Sequence, residues 1–130
     1  MSFQNNLCIG NYALLKSKEI IKIRALYPNL VSFTNSEGMK ALIYYDNIEP
    51  LPITESLLNK SQAKRIAEKR YDLHTEFSYE INIDNKFYYI RGFKYKSETI
   101  WSIGSFNIKY FHSLQNYLKL INNDFELILF

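Results

Sequence analysis

The 130-residue sequence has little of what usually carries chemistry in a protein of this size. It holds one cysteine, Cys8, together with two histidines, four glycines and three prolines. A single cysteine cannot form an internal disulfide, which suits a reducing compartment, and we expect Cys8 to be a small buried residue. The few glycines form no phosphate-binding fingerprint. We therefore predict no enzyme activity, no metal, no cofactor and no small-molecule substrate.

Long apolar runs are also missing from the sequence. No uncharged apolar stretch approaches the ~20 residues of a transmembrane helix, and the first residues lack the basic start and apolar centre of a signal peptide. Aromatic residues are abundant instead, at 16% of the chain with eleven tyrosines. Such an excess suits β-strands and also interaction surfaces. We expect a soluble cytoplasmic protein without membrane contact.

The first part of the chain predicts a small, strongly bent β-structure. Four short strands are predicted, at residues 11–16, 21–25, 30–34 and 39–45. Gly38 can adopt the positive φ that the turn before the fourth strand needs. Short strands joined by tight turns are typical of an SH3-like barrel or a curled antiparallel sheet. Pro50 and Pro52 then predict a connector over residues 48–53.

The middle of the chain predicts two short helices. Thr54 can cap a helix that carries Leu57 and Leu58. A single helix running on to Arg70 would turn Leu58 away from the apolar stripe of the later turns. The sequence therefore predicts a break at residues 59–61 and a second helix up to Arg70.

The last part of the chain predicts an antiparallel meander. Strands 77–83 and 86–95 form a hairpin around Asp84-Asn85, and strand 99–105 has a bulge or a close-approach site at Gly104. Residues 106–111 form a further strand or continue the preceding one. The apolar residues that share one face of the next helix are Leu114, Tyr117, Leu118 and Ile121.

We expect this helix to cover the meander, and residues 125–130 to form a final strand. The predicted fold is α+β, with a β-barrel-like subdomain at 1–53 and an α+β subdomain at 54–130 that together form one compact unit.

The positive charge of the sequence is concentrated in one short segment. The whole chain carries a net charge of +3. Between positions 60 and 70 five basic residues face a single acid, Glu68. The five are Lys60, Lys64, Arg65, Lys69 and Arg70. On the predicted helix Lys64, Arg65 and Lys69 share one arc, which is either a solvated face or a contact surface for phosphates or for a partner that binds nucleic acid.

Basic and aromatic residues also alternate along the predicted hairpin, where Tyr88, Arg91, Lys94 and Tyr95 are secondary contact candidates. Such interleaving can hold single-stranded nucleic acid, and it is equally typical of an amphipathic strand.

His112 lacks a carboxylate or thiol in a ligand spacing. We expect it to cap the last helix or to form a buried hydrogen bond.

Three stretches resemble a group of small, mostly uncharacterised proteins from bacteriophages, prophages and mobile elements of Bacteroidetes. They are Ile9-Gly10-Asn11-Tyr12, the segment from Ile48 to Leu58 with its Pro-Leu-Pro-Ile-Thr-Glu core, and Tyr110-Phe111-His112-Ser113-Leu114-Gln115-Asn116-Tyr117. The resemblance implies a phage or mobile-element origin and a small non-enzymatic protein. The chain departs from the family pattern at Lys60–Arg70, which suggests that a specialised role lies there.

Taken with the resemblance, these features predict a phage-encoded, non-enzymatic inhibitor of the anti-CRISPR kind. Its partner would be a host defence protein that targets nucleic acid, such as a CRISPR effector nuclease or its guide-RNA complex, in the cytoplasm of the infected bacterium. RNA contact is part of this expectation. The alternatives are a phage accessory protein that binds RNA or DNA directly, and a structural or assembly protein of the virion.

Overall fold

The computed structural model describes residues 6–130, and their contacts divide the chain into two compact units. The first unit runs to Pro52 and includes Tyr110–Ile121, and the second comprises Ile53–Lys109 and Asn122–Phe130. Among the described residues each unit contains one five-stranded antiparallel sheet and one α-helix. The predicted α+β class is therefore confirmed. No helix in the described part of the chain is long and apolar enough to cross a membrane.

The first sheet is a meander whose last strand returns to its first. Its strands are β1 (Tyr12–Leu15), β2 (Ile20–Leu26), β3 (Leu30–Thr34), β4 (Lys40–Tyr44) and β5 (Ile48–Pro50). Their spatial order is β4-β3-β2-β1-β5, so β4 and β5 are the two edges. Alternate residues of β2 and β3 are buried together in the core of this unit. The four predicted strands are confirmed, and closure of this sheet into a barrel stays a prediction.

The turn between β3 and β4 has the predicted geometry. Gly38 adopts a φ of +81°, which glycine reaches without the steric cost of a side chain. The Asn35 side chain accepts two backbone N–H hydrogen bonds within this turn, at 3.0 and 2.9 Å. This short turn joins β3 directly to the edge strand β4.

The connector predicted from the prolines is wrong at Ile48–Pro50. These residues form β5, which pairs with β1. An edge strand tolerates proline because one side of its backbone needs no ladder partner. The prolines therefore limit the strand to three residues at the sheet edge but do not exclude it.

The middle of the chain contains one helix and not two. Helix α1 (Glu55–Asn59) follows the predicted cap, where Thr54 Oγ1 accepts a hydrogen bond from the backbone N–H of Leu57 at 3.2 Å. The second predicted helix is wrong, because Lys64–Arg70 forms strand β6. Its helical pattern depended on three small or apolar residues, and pairing with a long neighbouring strand overrides so weak a preference.

The second sheet consists of β6, β7 (His74–Ile83), β8 (Lys86–Tyr95), β9 (Glu98–Ile103) and β10 (Phe106–Ile108). Their spatial order is β10-β9-β8-β7-β6. The predicted hairpin is confirmed, since β7 and β8 pair along their full lengths and Asp84 and Asn85 both have positive φ (52° and 65°). The bulge predicted at Gly104 is wrong, because Gly104 lies in the turn between β9 and β10.

The strand predicted for the last six residues is also wrong, since Phe125–Phe130 has no strand assignment. The segment is fixed by other hydrogen bonds. Phe130 N donates to Lys60 O at 2.7 Å, Ile128 N donates to Gln62 Oε1 at 2.8 Å, and Gln62 Nε2 donates to Glu126 O at 2.7 Å. Two of the three bonds use a side chain, so no regular backbone ladder forms.

Helix α2 (Phe111–Ile121) belongs to the first unit and not to the second meander, where the sequence placed it. Leu114 and Leu118 are fully buried, as the periodicity predicts. The periodicity shows that the helix has a buried face. It does not show which sheet the helix joins.

Two amide side chains fix α2 beside β1. Gln115 Oε1 accepts a hydrogen bond from Tyr12 N at 2.9 Å, and Gln115 Nε2 donates to Gly10 O at 3.0 Å. Asn11 Nδ2 donates to Asn116 Oδ1 at 2.9 Å. Two of the three stretches that carry the resemblance therefore hydrogen-bond to each other. Their residues act as scaffold.

Candidate functional site

The basic segment forms an edge of the second sheet. All seven residues of β6 are exposed, and within the sheet the strand pairs with β7 alone. Strand alternation, interrupted by a bulge around Ile66, divides its cations between the two faces. Lys64 and Lys69 lie on one face, and Arg65 and Arg70 lie on the other. The single arc predicted for Lys64, Arg65 and Lys69 is therefore wrong, because the segment is not helical.

The two arginines of β6 are engaged in ion pairs with Glu68. Arg70 Nε donates to Glu68 Oε2 at 3.1 Å, Arg65 Nη2 donates to Glu68 Oε1, and Arg65 Nη1 lies 3.7 Å from Glu55 Oε1. Desolvation raises the pKa of Glu68, but the hydrogen bonds and charges of Arg70 and Arg65 outweigh it and the net pKa is lowered. Both arginines therefore stabilise the local fold through these ion pairs.

Lys60, the fifth predicted contact residue, lies outside β6. It follows the last residue of α1, and its exposed side chain forms no hydrogen bond or ion pair among the described residues. Lys64 and Lys69 are likewise unpaired in this part of the chain. The three lysines, and not the two arginines, are the cations of this segment that remain available for a partner.

Strand β8 presents a row of large side chains on the exposed side of the sheet. The row contains every second residue of the strand, namely Phe87, Tyr89, Arg91, Phe93 and Tyr95. Its four rings are between 41% and 50% exposed. We call this row and its cross-strand neighbours the aromatic face. An exposed surface so rich in rings is unusual, since aromatic side chains otherwise contribute to cores.

Arg91 lies at the centre of the aromatic face. The residues directly across from it on β7 and β9 are the small Ser78 and Ser102, which leave a shallow cleft of about 420 Å³. Lys69 and Phe93 line the same cleft. No hydrogen bond or ion pair from residues 6–130 engages Arg91. Its five N–H donors are therefore free to bind an acceptor from outside.

A stack of three rings orients one end of the aromatic face. Tyr71 and His74 stack at 4.5 Å between ring centroids with an interplanar angle of 17°, and His74 and Phe93 stack at 4.4 Å and 22°. His74 Nε2 lies 3.1 Å from Glu76 Oε2. Because each ring limits the rotation of the next, Phe93 is held in place before any partner binds.

The opposite face of the same strands is closely packed. A Cβ atom at Gly92 would lie 2.6 Å from Cζ3 of Trp101, so the indole occupies the space that glycine leaves. The Trp101 ring contacts Tyr79 and Phe77, at 6.2 and 6.4 Å between centroids. The Tyr79 hydroxyl donates to Asn59 Oδ1 at 3.0 Å, and burial raises the pKa of Tyr79. This packing fixes the strands that carry the aromatic face.

The charges on the aromatic face are nearly balanced. Among the described residues its carboxylates are Glu76, Glu80 and Glu98, and the cations on or beside it are Lys64, Lys69, Arg91 and Lys96, whose Nζ lies 5.5 Å from the centroid of the Tyr95 ring. Lys64 lies directly across from Glu80, and Lys69 across from Glu76. A face with this balance does not produce the strongly positive potential that draws nucleic acid to a protein surface.

The four secondary candidates are divided between the two faces. Arg91 and Tyr95 lie on the aromatic face, whereas Tyr88 and Lys94 lie on the opposite one. The sequence reasoning missed Tyr71, His74 and Ile100, and it did not single out Phe93. The period of two along β8 was the available signal for Phe93. Nothing local indicated that Tyr71 and His74 would stack on it.

Two predictions about reactive residues have different outcomes. Cys8 is exposed, so its predicted burial is wrong. His112 is buried as predicted but does not cap α2, which begins at Phe111. Burial lowers the pKa of His112. Within residues 6–130 no three or more His, Cys, Asp or Glu side chains are grouped so that they could hold a metal ion.

Comparison of the chain with protein-family models, with curated proteins and with solved structures finds no match.

Proposed function

We propose that this protein acts by binding another protein through the aromatic face of its second sheet. In the setting that the resemblance implies, it is a phage-encoded, non-enzymatic inhibitor. Its partner there is a host defence protein that targets nucleic acid, such as a CRISPR effector nuclease or its guide-RNA complex. The observation that carries the proposal is the row of four exposed rings around Arg91, which no side chain of residues 6–130 engages.

The composition of this face is that of a protein interface. Aromatic residues and arginine are enriched where protein partners meet, and they supply most of the residues whose truncation costs binding energy. On this face the rings surround the arginine, and the exposed Ile100 lies directly across from Phe93. A partner that covers the rings would exclude water from Arg91 and strengthen its hydrogen bonds to an acceptor.

The ring stack supports the same proposal. Binding costs less when the contact side chains are already ordered, and Phe93 is held by His74 in the absence of a partner. Lys64 and Lys69 lie on the edge strand of this face and serve as rim contacts with an acidic or RNA-bearing surface. Such rim charges act mainly on the rate of association. The site of action in this proposal is the cytoplasm of the infected bacterium.

Direct binding of RNA or DNA is the second candidate function. The observation that favours it is the position of Lys69 and Arg91, neither of them paired within the described residues, beside exposed rings on which bases could stack. The balance of charge on the face favours a protein partner instead. A gel-shift assay with labelled single-stranded RNA and DNA at low salt separates the two. We expect unchanged mobility, and a shift that weakens steeply with added salt would favour the second candidate.

The leading proposal is tested by co-purification with candidate host nucleases, both free and guide-loaded, and by a phage-challenge assay. We expect the wild-type protein to bind one of them and to protect the phage. The Arg91→Ala/Phe93→Ala double variant should lose both effects. Lys94→Ala should keep them, because Lys94 lies on the opposite face of the same strand. A double variant that binds and protects like the wild type would rule out the aromatic face.

A further inference from the structure

Of the edge strands in the described residues, β4 is the one that remains open to pairing. β5 and β10 have only three residues each, and β5 ends in Pro50. β6 has a bulge and several exposed cations, two devices that discourage the addition of a strand. In contrast, β4 pairs with β3 over five consecutive residues without a bulge and carries a single charge, on Lys40.

Alternate residues of β4 direct their backbone groups away from the sheet. Asn35 N donates to Met39 O at 2.9 Å, so Met39 and every second residue after it bond to β3 in the antiparallel ladder. Lys40, Leu42 and Tyr44 alternate with these residues, and their backbone N–H and C=O groups point to the open edge. These groups are the donors and acceptors that a further strand would use.

The side chains of the same residues leave this edge apolar and uncovered. Leu42 and Tyr44 are 61% and 62% exposed, and the neighbouring Met39 is 62% exposed. Leu42 and Tyr44 lie with Ser32 of β3 on the side of the first sheet that is opposite its buried core. An edge strand with exposed apolar residues at its centre and no bulge is the type that pairs with another chain.

We propose that β4 pairs with β4 of a second copy of this chain, antiparallel about a two-fold axis at Leu42. A two-fold interface has to be complementary to itself. In this register Leu42 lies opposite Leu42 of the second copy, and Lys40 lies opposite Tyr44. The outward backbone groups of each strand then meet those of the other.

The register centred on Leu42 is favoured over the one centred on Lys40, because it separates the two ammonium groups and pairs more residues. It pairs all five residues of the strand and lets each Lys40 ammonium approach a tyrosine ring. A register centred on Lys40 would place two ammonium groups directly opposite each other and would pair fewer residues. Strand pairing over five residues buries less than the ~800 Å² per partner of a standard interface, so the dimer should form in a concentration-dependent equilibrium.

Sedimentation velocity over a series of protein concentrations tests this dimer. We expect the average mass of the wild-type protein to rise from monomer towards dimer with concentration. Leu42→Lys places two ammonium groups opposite each other and should raise the dissociation constant by at least about tenfold. The matched control is Leu73→Lys, which adds the same charge at a residue that is 74% exposed and should leave the equilibrium unchanged.

Cysteine cross-linking tests the register independently of the Lys variants. In a Cys8→Ser background, a mixture of Lys40→Cys and Tyr44→Cys proteins should form an intermolecular disulfide on mild oxidation. Lys40→Cys alone should not, because its two copies would lie about 13 Å apart along the paired strands. A wild-type protein that stays monomeric at every concentration, an unaltered equilibrium in Leu42→Lys, or cross-linking by Lys40→Cys alone would each overturn the proposal.

Discussion

The two faces of the second sheet are made from alternate residues of the same strands, yet rings and arginines have different surroundings on each face. On one face Trp101 and Tyr79 are buried and in ring contact, and Arg65 and Arg70 are paired with Glu68. On the other face four rings of β8 remain exposed and Arg91 has no partner among the described residues. Rings and guanidinium groups stabilise the fold on the first face and are available for contact on the second.

The comparison shows why a charge count along the sequence was misleading. Between positions 60 and 70 the five basic residues look equivalent, but two of them are occupied by Glu68. Arg91, which lies outside this segment, is the cation at the centre of the cleft. The role of a charged residue in this sheet depends on which face it occupies.

The largest expected effect on stability distinguishes two neighbouring residues of β9. Trp101→Ala should lower the free energy of unfolding by about 3–5 kcal/mol, because the indole is buried against two rings. Ile100→Ala, on the aromatic face, should change it by less than ~0.5 kcal/mol. Urea unfolding followed by circular dichroism measures both variants. Equal losses would show that the two faces do not differ in packing.

A smaller loss is expected when Gly92 is replaced. Gly92→Ala would place its Cβ atom 2.6 Å from Trp101 Cζ3, and such overpacking typically costs about 1–3 kcal/mol. Fluorescence of Trp101, the only tryptophan of the chain, reports the accompanying movement of the ring. Lys94→Ala on the same strand serves as the control and should leave both the unfolding midpoint and the emission spectrum unchanged.

Loss of the ring stack should have a still smaller effect on stability. Phe93→Ala removes the ring that stacks on His74 and should cost about 0.5–1.5 kcal/mol. Phe87→Ala removes a ring from the same face outside that stack and should cost less than this. Urea unfolding of the two variants side by side measures the difference. If Phe87→Ala were the more destabilising, the ring stack would not be the ordering element of the face.

The smallest expected effect is pH-dependent and concerns the ion pairs of the opposite face. Because the pKa of Glu68 is lowered in the folded protein, its contribution is present above the unfolded pKa and is lost as the pH falls through the folded pKa. Glu68→Gln should therefore be less stable than wild type near neutral pH, with the difference disappearing in acid.

Thermal unfolding between about pH 7 and about pH 3 measures this difference. Glu98→Gln is the control, since Glu98 has no ion pair within residues 6–130. A difference between wild type and Glu68→Gln that stayed constant across this pH range would contradict the role given to the two arginines.

The sequence predicted the parts of the fold that depend on local patterns. The strands of the first sheet follow from alternation, the β7–β8 hairpin follows from Asp84-Asn85, and the start of α1 follows from Thr54. Each of these signals is contained in a few neighbouring residues. They were readable without knowledge of the rest of the chain.

The failures concern features that depend on distant residues. Lys64–Arg70 is a strand because it pairs with β7. Helix α2 belongs to the first unit because Gln115 and Asn116 form hydrogen bonds with residues at or next to β1. The candidate site was predicted only in part for the same reason. Arg91 and Tyr95 were identified, but the stack of Tyr71 and His74 on Phe93 requires the assembled sheet.

An alanine scan along β8, measured as affinity for a host nuclease recovered in the proposed co-purification, tests the central claim most directly. The aromatic face predicts an alternating pattern. Alanine at Tyr89, Arg91 or Phe93 should weaken binding by about tenfold or more, whereas alanine at Tyr88 or Lys94 should change it by less than about twofold. Equal losses at both sets of positions, or losses confined to Tyr88 and Lys94, would contradict the assignment of the aromatic face as the binding surface.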